Sequence, residues 1–143
     1  MSRAEADPAT TVRSYIAALN RGNPDDIASH VSDGFINEHT STLGETITGR
    51  EAYRARLAGF LENFRELHYE IEQTIVEGQQ VAVAYRMSAR YRATGNSSSL
   101  DRPIRIRGMF RFRVEQGRIV HRVDYWDSAD FQRQLSAVAD VRV

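Results

Sequence analysis

The chain contains no cysteine, which excludes disulfides, thiolate metal sites and cysteine nucleophiles. Lysine is absent too, so all 19 basic residues are arginine. The planar arginine fork suits bidentate anion recognition. Biased codon usage gives the same result, and composition does not separate the two. Only 3 prolines occur, too few for a collagen-like or proline-rich chain. Neither charge is in excess, with 19 basic and 19 acidic residues, which argues against a dedicated nucleic-acid binder. No apolar run approaches the ~20 residues of a membrane span. The opening Met1-Ser2-Arg3-Ala4-Glu5-Ala6-Asp7 has no apolar core of a signal peptide. We therefore expect a cytoplasmic protein with no membrane and no nucleic-acid partner.

Several chemistries lack their residues. The histidines, His30, His39, His68 and His121, show no paired ligand spacing, so no metal site is expected. There is no phosphate-binding glycine loop and no Gly-x-Ser-x-Gly elbow. No cofactor is expected.

What the chain does have is 143 residues, 41% hydrophobic and 27% charged, the composition of one globular domain spanning 1–143. Asp7 before Pro8 marks a helix start, and Val12, Tyr15, Ile16 and Leu19 recur at helical spacing up to Gly22. Asn23-Pro24-Asp25-Asp26 starts a second, short helix with Ile27 and Val31 on its buried face. Asp33-Gly34 turns into a strand over 35–39, and 40–47 reads as a loop. Thr48 and Glu51 have capping-box spacing before a third helix striped by Tyr53, Leu57, Phe60, Leu61 and Phe64. Near residue 66 the period changes from helical to two. Strands are predicted over 68–76, 81–93, 104–114 and 118–126, broken at Glu77-Gly78, at Gly95-Asn96-Ser97-Ser98-Ser99 and at Gln116-Gly117. Asp127 and Asp130 then cap a last helix containing Phe131 and Leu135. The fold class is α+β, with three N-terminal helices against a mainly antiparallel sheet. In the strand over 104–114, Ile104, Ile106, Gly108, Phe110, Phe112 and Val114 share one face. Arg105, Arg107, Arg111 and Arg113 share the other with Met109, as a solvated or interface face paired with Glu70 and Glu72. In the last strand Val120, Arg122, Asp124 and Trp126 fall on one face.

The run Tyr15-Ile16-Ala17-Ala18-Leu19-Asn20-Arg21-Gly22-Asn23 resembles the first helix of the ketosteroid isomerases. The element order, Phe110-Arg111-Phe112 and Gly117-Arg118-Ile119-Val120 resemble the nuclear transport factor 2-like superfamily, and within it the SnoaL-like polyketide cyclase group. The resemblance covers about residues 8–136. It implies a cone-shaped, bent sheet, antiparallel or mixed, with the helices on its concave face around a pocket, as a homodimer. It is specific for fold and weak for activity.

The resemblance also nominates residues. Asp124 falls where the polyketide cyclases and limonene epoxide hydrolases keep an acid/base aspartate. Its alternative role is a structural pair with Arg122. Tyr15 falls on the oxyanion-binding tyrosine of the ketosteroid isomerases, or is only part of the buried helical stripe. His39 falls on their catalytic carboxylate, or is a solvated residue at a strand end. Asn37 shares its face, while Glu38 points away. Arg122, Trp126, Asn37 and Phe110 are the expected substrate-binding residues. Gly108 stands where the isomerases keep a second oxyanion donor, which puts steroid isomerisation in doubt. The arginine–aspartate pair of the epoxide hydrolases is missing from the strand around Tyr85. The reading is a cofactor-independent isomerase, cyclase or dehydratase that moves protons on a small apolar molecule. The alternative is a non-catalytic ligand-binding or dimeric interaction module of the same fold.

Overall fold

The computed structural model describes residues 7–41, 43–92 and 101–141, side chains 137–141 excepted. The chain runs α1 (Pro8–Arg21), α2 (Pro24–Ala28), β1 (Val31–His39), β2 (Ile47–Thr48), α3 (Arg50–Asn63), β3 (Phe64–Glu77), β4 (Gln80–Tyr91), β5 (Arg102–Glu115), β6 (Arg118–Trp126) and α4 (Ser128–Val141). Local chemistry sets the helix starts. The Asp7 carboxylate accepts from the Ala9 amide at 3.3 Å, and the Asn23 side chain accepts from the Asp26 amide at 3.0 Å. Gly22, at φ 77°, ends α1 in the left-handed conformation that glycine adopts without strain. Asp127 accepts from the Ala129 and Asp130 amides at the start of α4.

The strands form one curled, unclosed sheet in the order β2-β1-β6-β5-β4-β3. Only β1 and β6 run parallel; the other neighbours are antiparallel. α1 lies across β3 to β6, α3 against β1, β2 and β3, α2 on α1 and α3, and α4 along β5. The strand alternation of β5 is as expected: Ile104, Ile106, Phe110, Phe112 and Val114 are buried with α1's Val12, Tyr15, Ile16 and Leu19 in one core. On the outer face Glu72 pairs with Arg86 and with Arg107, the latter at 3.0 Å.

Several local expectations are corrected. Asp33-Gly34 is not a turn before β1 but lies inside it, in a register shift between Val31 and Ile36. Val31 therefore belongs to β1 and not to α2. The Thr48–Glu51 capping box does not form: Thr48 pairs with Ile36, and Gly49 caps α3 with no side-chain bond. Phe64 starts β3 directly after α3. In β6 the pairing jumps from Arg113–His121 to Val114–Ile119, so Val120 is an extra residue. Ile119, not Val120, then fills the core. The expected end of β4 at Ala93 and the break over 95–99 lie outside the described residues.

Candidate active site

A cavity of about 580 Å³ opens between the sheet and α3. Register builds its polar wall. In the parallel β1–β6 pair, Asn37 sits beside Arg122 and His39 beside Asp124. Asn37, His39, Arg122, Asp124 and Trp126 all line the cavity, so five of the seven nominated residues meet there. Tyr15 and Phe110 do not line it. Tyr15 is wholly buried one layer back, because helical spacing marks a buried face without saying how deep it lies. Phe110 is also wholly buried, with its ring centroid 4.8 Å from the Arg122 guanidinium carbon. Tyr53 from α3 takes the wall position expected of Tyr15.

Arg122 is 6% exposed and its polar contacts are neutral. Nε donates to Asn37 Oδ1 at 2.9 Å and Nη1 donates to Tyr15 Oη at 2.9 Å. Nη2 has no hydrogen-bond partner among the described residues. The structural pair with Asp124, the alternative role for that carboxylate, is not made; Asp124 accepts instead from Tyr85 Oη at 2.7 Å. Its other oxygen lies 3.7 Å from His39 Nδ1, which is buried and without a hydrogen bond.

The two tyrosines at Arg122 form a pair. Tyr15 Oη and Tyr53 Oη are 2.5 Å apart, and either phenol can be the donor. Tyr15 also accepts from Arg122. Tyr53 is the one of the two that lines the cavity.

Electrostatics follows burial. Burial raises the Asp124 carboxyl above the ordinary carboxylate range, while the Arg122 charge and the Tyr85 hydrogen bond pull it down. Burial, then the charges of Arg122 and Arg56, lowers His39 to about 4, so its ring is neutral near pH 7. Burial raises the Tyr15, Tyr53, Tyr69 and Tyr85 phenols, and all stay protonated. Burial works against the charge on Arg122, but the oxygens of Tyr15, Tyr53 and Asp124 more than offset it.

Glycines allow two of these contacts. A Cβ on Gly108 would stand 2.6 Å from Tyr85 Oη. Tyr85 on β4 pairs with Gly108 on β5, so its ring crosses an empty position to reach Asp124 on β6. A Cβ on Gly44 would overlap the His39 side chain, so the turn after β1 covers that imidazole only with glycine there. Sequence reasoning missed Tyr53 and Tyr85. The signals were present: a tyrosine inside the buried stripe of α3, and a glycine on the inward face of β5 that a long neighbour must fill.

The remaining lining is mostly apolar and aromatic, with Phe60, Phe64, Tyr91, Trp126 and Phe131, beside Asn63 and the Arg56–Glu45 ion pair. Among the described residues no cluster of histidine, aspartate and glutamate suits a metal, and no helix is long and apolar enough to cross a membrane.

The model of the SnoaL-like domain family matches residues 12–122. The chain belongs to this family. No curated protein sequence matches it. Solved structures share the SnoaL-like fold at low identity. A Jannaschia sp. CCS1 protein assigned to the SnoaL-like polyketide cyclases is 19% identical, with a TM-score of 0.79 over 96% of this chain and 98% of that one. A Catenulispora acidiphila DSM 44928 protein of ketosteroid isomerase-like fold, in complex with trimethylamine, is 18% identical, with a TM-score of 0.75 over 88% and 92%. The epoxide hydrolase/cyclase-like enzyme SalBIII, of pyran ring formation in the polyether salinomycin, is 20% identical, with a TM-score of 0.72 over 86% and 92%. At such identities the likeness is one of fold.

Proposed function

We propose that this SnoaL-like chain is a cofactor-independent isomerase, cyclase or dehydratase that moves a proton on a small, mostly apolar molecule. The carrying observation is the Asp124–His39 pair. A carboxylate and an unpartnered neutral imidazole stand 3.7 Å apart on the wall of an aromatic cavity, beside a buried arginine. Asp124 takes a proton from a carbon next to a carbonyl. The C–H electron pair becomes an enolate whose oxygen faces Arg122 and the Tyr53 hydroxyl. The same carboxyl then returns the proton to another carbon, or to a leaving oxygen. His39 holds a neutral imidazole beside that carboxyl, with no hydrogen bond of its own at Nδ1. The Tyr85 hydrogen bond favours the ionised Asp124 carboxylate, against the burial that favours the protonated one. The family and the fold of polyketide cyclase and epoxide cyclase-like relatives support this class of chemistry.

The reading treats residues 8–136 as one domain. It carries with it a homodimer through the outer sheet face, where Met109 and Tyr125 are each 40% exposed. Sedimentation that finds only monomer at micromolar concentration removes the dimer.

The test of the chemistry needs no known substrate. Deuterium uptake by 2-tetralone and a panel of related enolisable ketones is followed in D₂O. We expect exchange above the buffer rate, falling ~10²–10⁴-fold in Asp124→Asn. Exchange at the buffer rate across the panel, or an unchanged rate in folded Asp124→Asn, favours the binding module instead.

A further inference from the structure

Arg122 is a buried charge with no ion-paired carboxylate among the described residues. A buried charge is costly unless it is paired, and here the surrounding oxygens of Tyr15, Tyr53 and Asp124 offset that cost without a direct ionic contact. Arg122 is 94% buried by the complement of its 6% exposure, yet its direct partners, Asn37 and Tyr15, are neutral. Asp124 feels its field but accepts its hydrogen bond from Tyr85. Arg122 lines the cavity, and its Nη2 is not committed to the protein. Tyr53, paired with Tyr15, puts a second polar group on the same wall.

The rest of the cavity says what such a charge is attached to. Phe64 packs on Phe60 at 4.8 Å and on Tyr91 at 4.9 Å between ring centroids. Phe131 joins Tyr91 at 5.1 Å and Trp126 at 5.9 Å. This patch is built for flat rings. Trp126 is four residues beyond Arg122 on β6, or roughly 13 Å at the usual rise per residue. Asp124 stands between them.

We infer that the occupant is a planar aromatic anion, a carboxylate or acidic enolate, with its charge on Arg122 and Tyr53 and its rings on the patch around Trp126. The inference rests on the cavity being the small-molecule site of the proposed function. It adds that the molecule is already negative before any proton moves. It also has a consequence for Asp124, whose negative charge repels such a ligand. The residue most needed for turnover is thus one that weakens binding.

The experiment compares 2-naphthoate with its neutral isostere 2-naphthamide by isothermal titration. The proteins are the wild type, Asp124→Asn and Tyr53→Phe. The acid is expected to bind at least tenfold more tightly than the amide, as hydrogen bonds to charged groups exceed neutral ones. Asp124→Asn tightens the acid severalfold and leaves the amide nearly unchanged. Tyr53→Phe weakens the acid more than the amide. Equal affinity for the two probes, binding of neither, or weaker acid binding in Asp124→Asn overturns the inference. The ketone exchange assay separates the two claims. Acid-selective binding without exchange sinks proton transfer alone, and exchange without acid selectivity sinks the anion alone.

Discussion

Tyr85 Oη donates to the Asp124 carboxylate at 2.7 Å by reaching across Gly108, a residue with no side chain to obstruct it. The bond favours the ionised carboxylate, against the burial that favours the protonated one. Tyr85→Phe removes the donor and keeps the ring. The Asp124 pKa should then rise further. The acid limb of the exchange-rate profile moves to higher pH with it. An unmoved limb would show that Asp124 is not the titrating base.

Gly108→Ala tests the same contact from the other side. The new methyl would lie 2.6 Å from Tyr85 Oη and 2.7 Å from the Tyr125 carbonyl. Overpacking of this kind costs ~1–3 kcal/mol. Urea denaturation should show that loss. Adding Tyr85→Phe should restore part of it, since the backbone clash with Tyr125 remains.

Stability in acid should depend on His39. Its folded pKa is about 4, below the ordinary 6.5 that it regains on unfolding. Between these values the unfolded chain binds more protons, so falling pH favours unfolding. The penalty is absent above about pH 6.5 and grows as pH falls toward 4, to at most about 3 kcal/mol. Asp124 acts in the opposite sense, because its raised pKa favours protonation in the folded state. Denaturation of the wild type and His39→Gln at pH 7 and pH 4.5 isolates the imidazole. The variant should lose less stability on acidification; an equal loss would mean that His39 titrates normally in the fold.

Gly44→Ala should uncover His39. The added methyl overlaps the imidazole side chain, so the turn must lift away. Water then reaches the ring, and its pKa should climb from about 4 toward 6.5, as read from its NMR titration. A titration unchanged by the substitution would rule out the turn as the cover.

The most legible part of the site was the end of β6. Period-two alternation puts Arg122, Asp124 and Trp126 on one face whatever surrounds them, and all three line the cavity. Alternation fails where a partner strand imposes an extra residue, as at Val120 and between Val31 and Ile36. Such bulges belong to a pair of strands, and one strand's pattern does not encode them. Thr48 illustrates the same limit: its capping spacing is genuine, but pairing with Ile36 takes it first. Depth was illegible too. Tyr15 and Tyr53 look alike as members of buried helical stripes, yet only Tyr53 meets the cavity. The partners of Arg122 could not be read from its neighbour Asp124, because they come from Asn37 and Tyr15, 85 and 107 residues earlier.

That separation has a bearing on how the protein comes into being. The parallel union of β1 with β6 joins an early strand to a late one, and the Thr40 amide extends it by bonding to the Asp124 carbonyl at 3.2 Å. Closing so long a loop is entropically costly and comes slowly. During synthesis, Asn37 and His39 leave the ribosome long before Arg122 and Asp124 exist to meet them. A chain cut short before β6 has every helix of the N-terminal half but neither Arg122 nor Asp124 at the cavity. On the proposed reading, ligand capture is therefore a property of the finished chain, and a bound molecule would act as a clasp across its two distant halves.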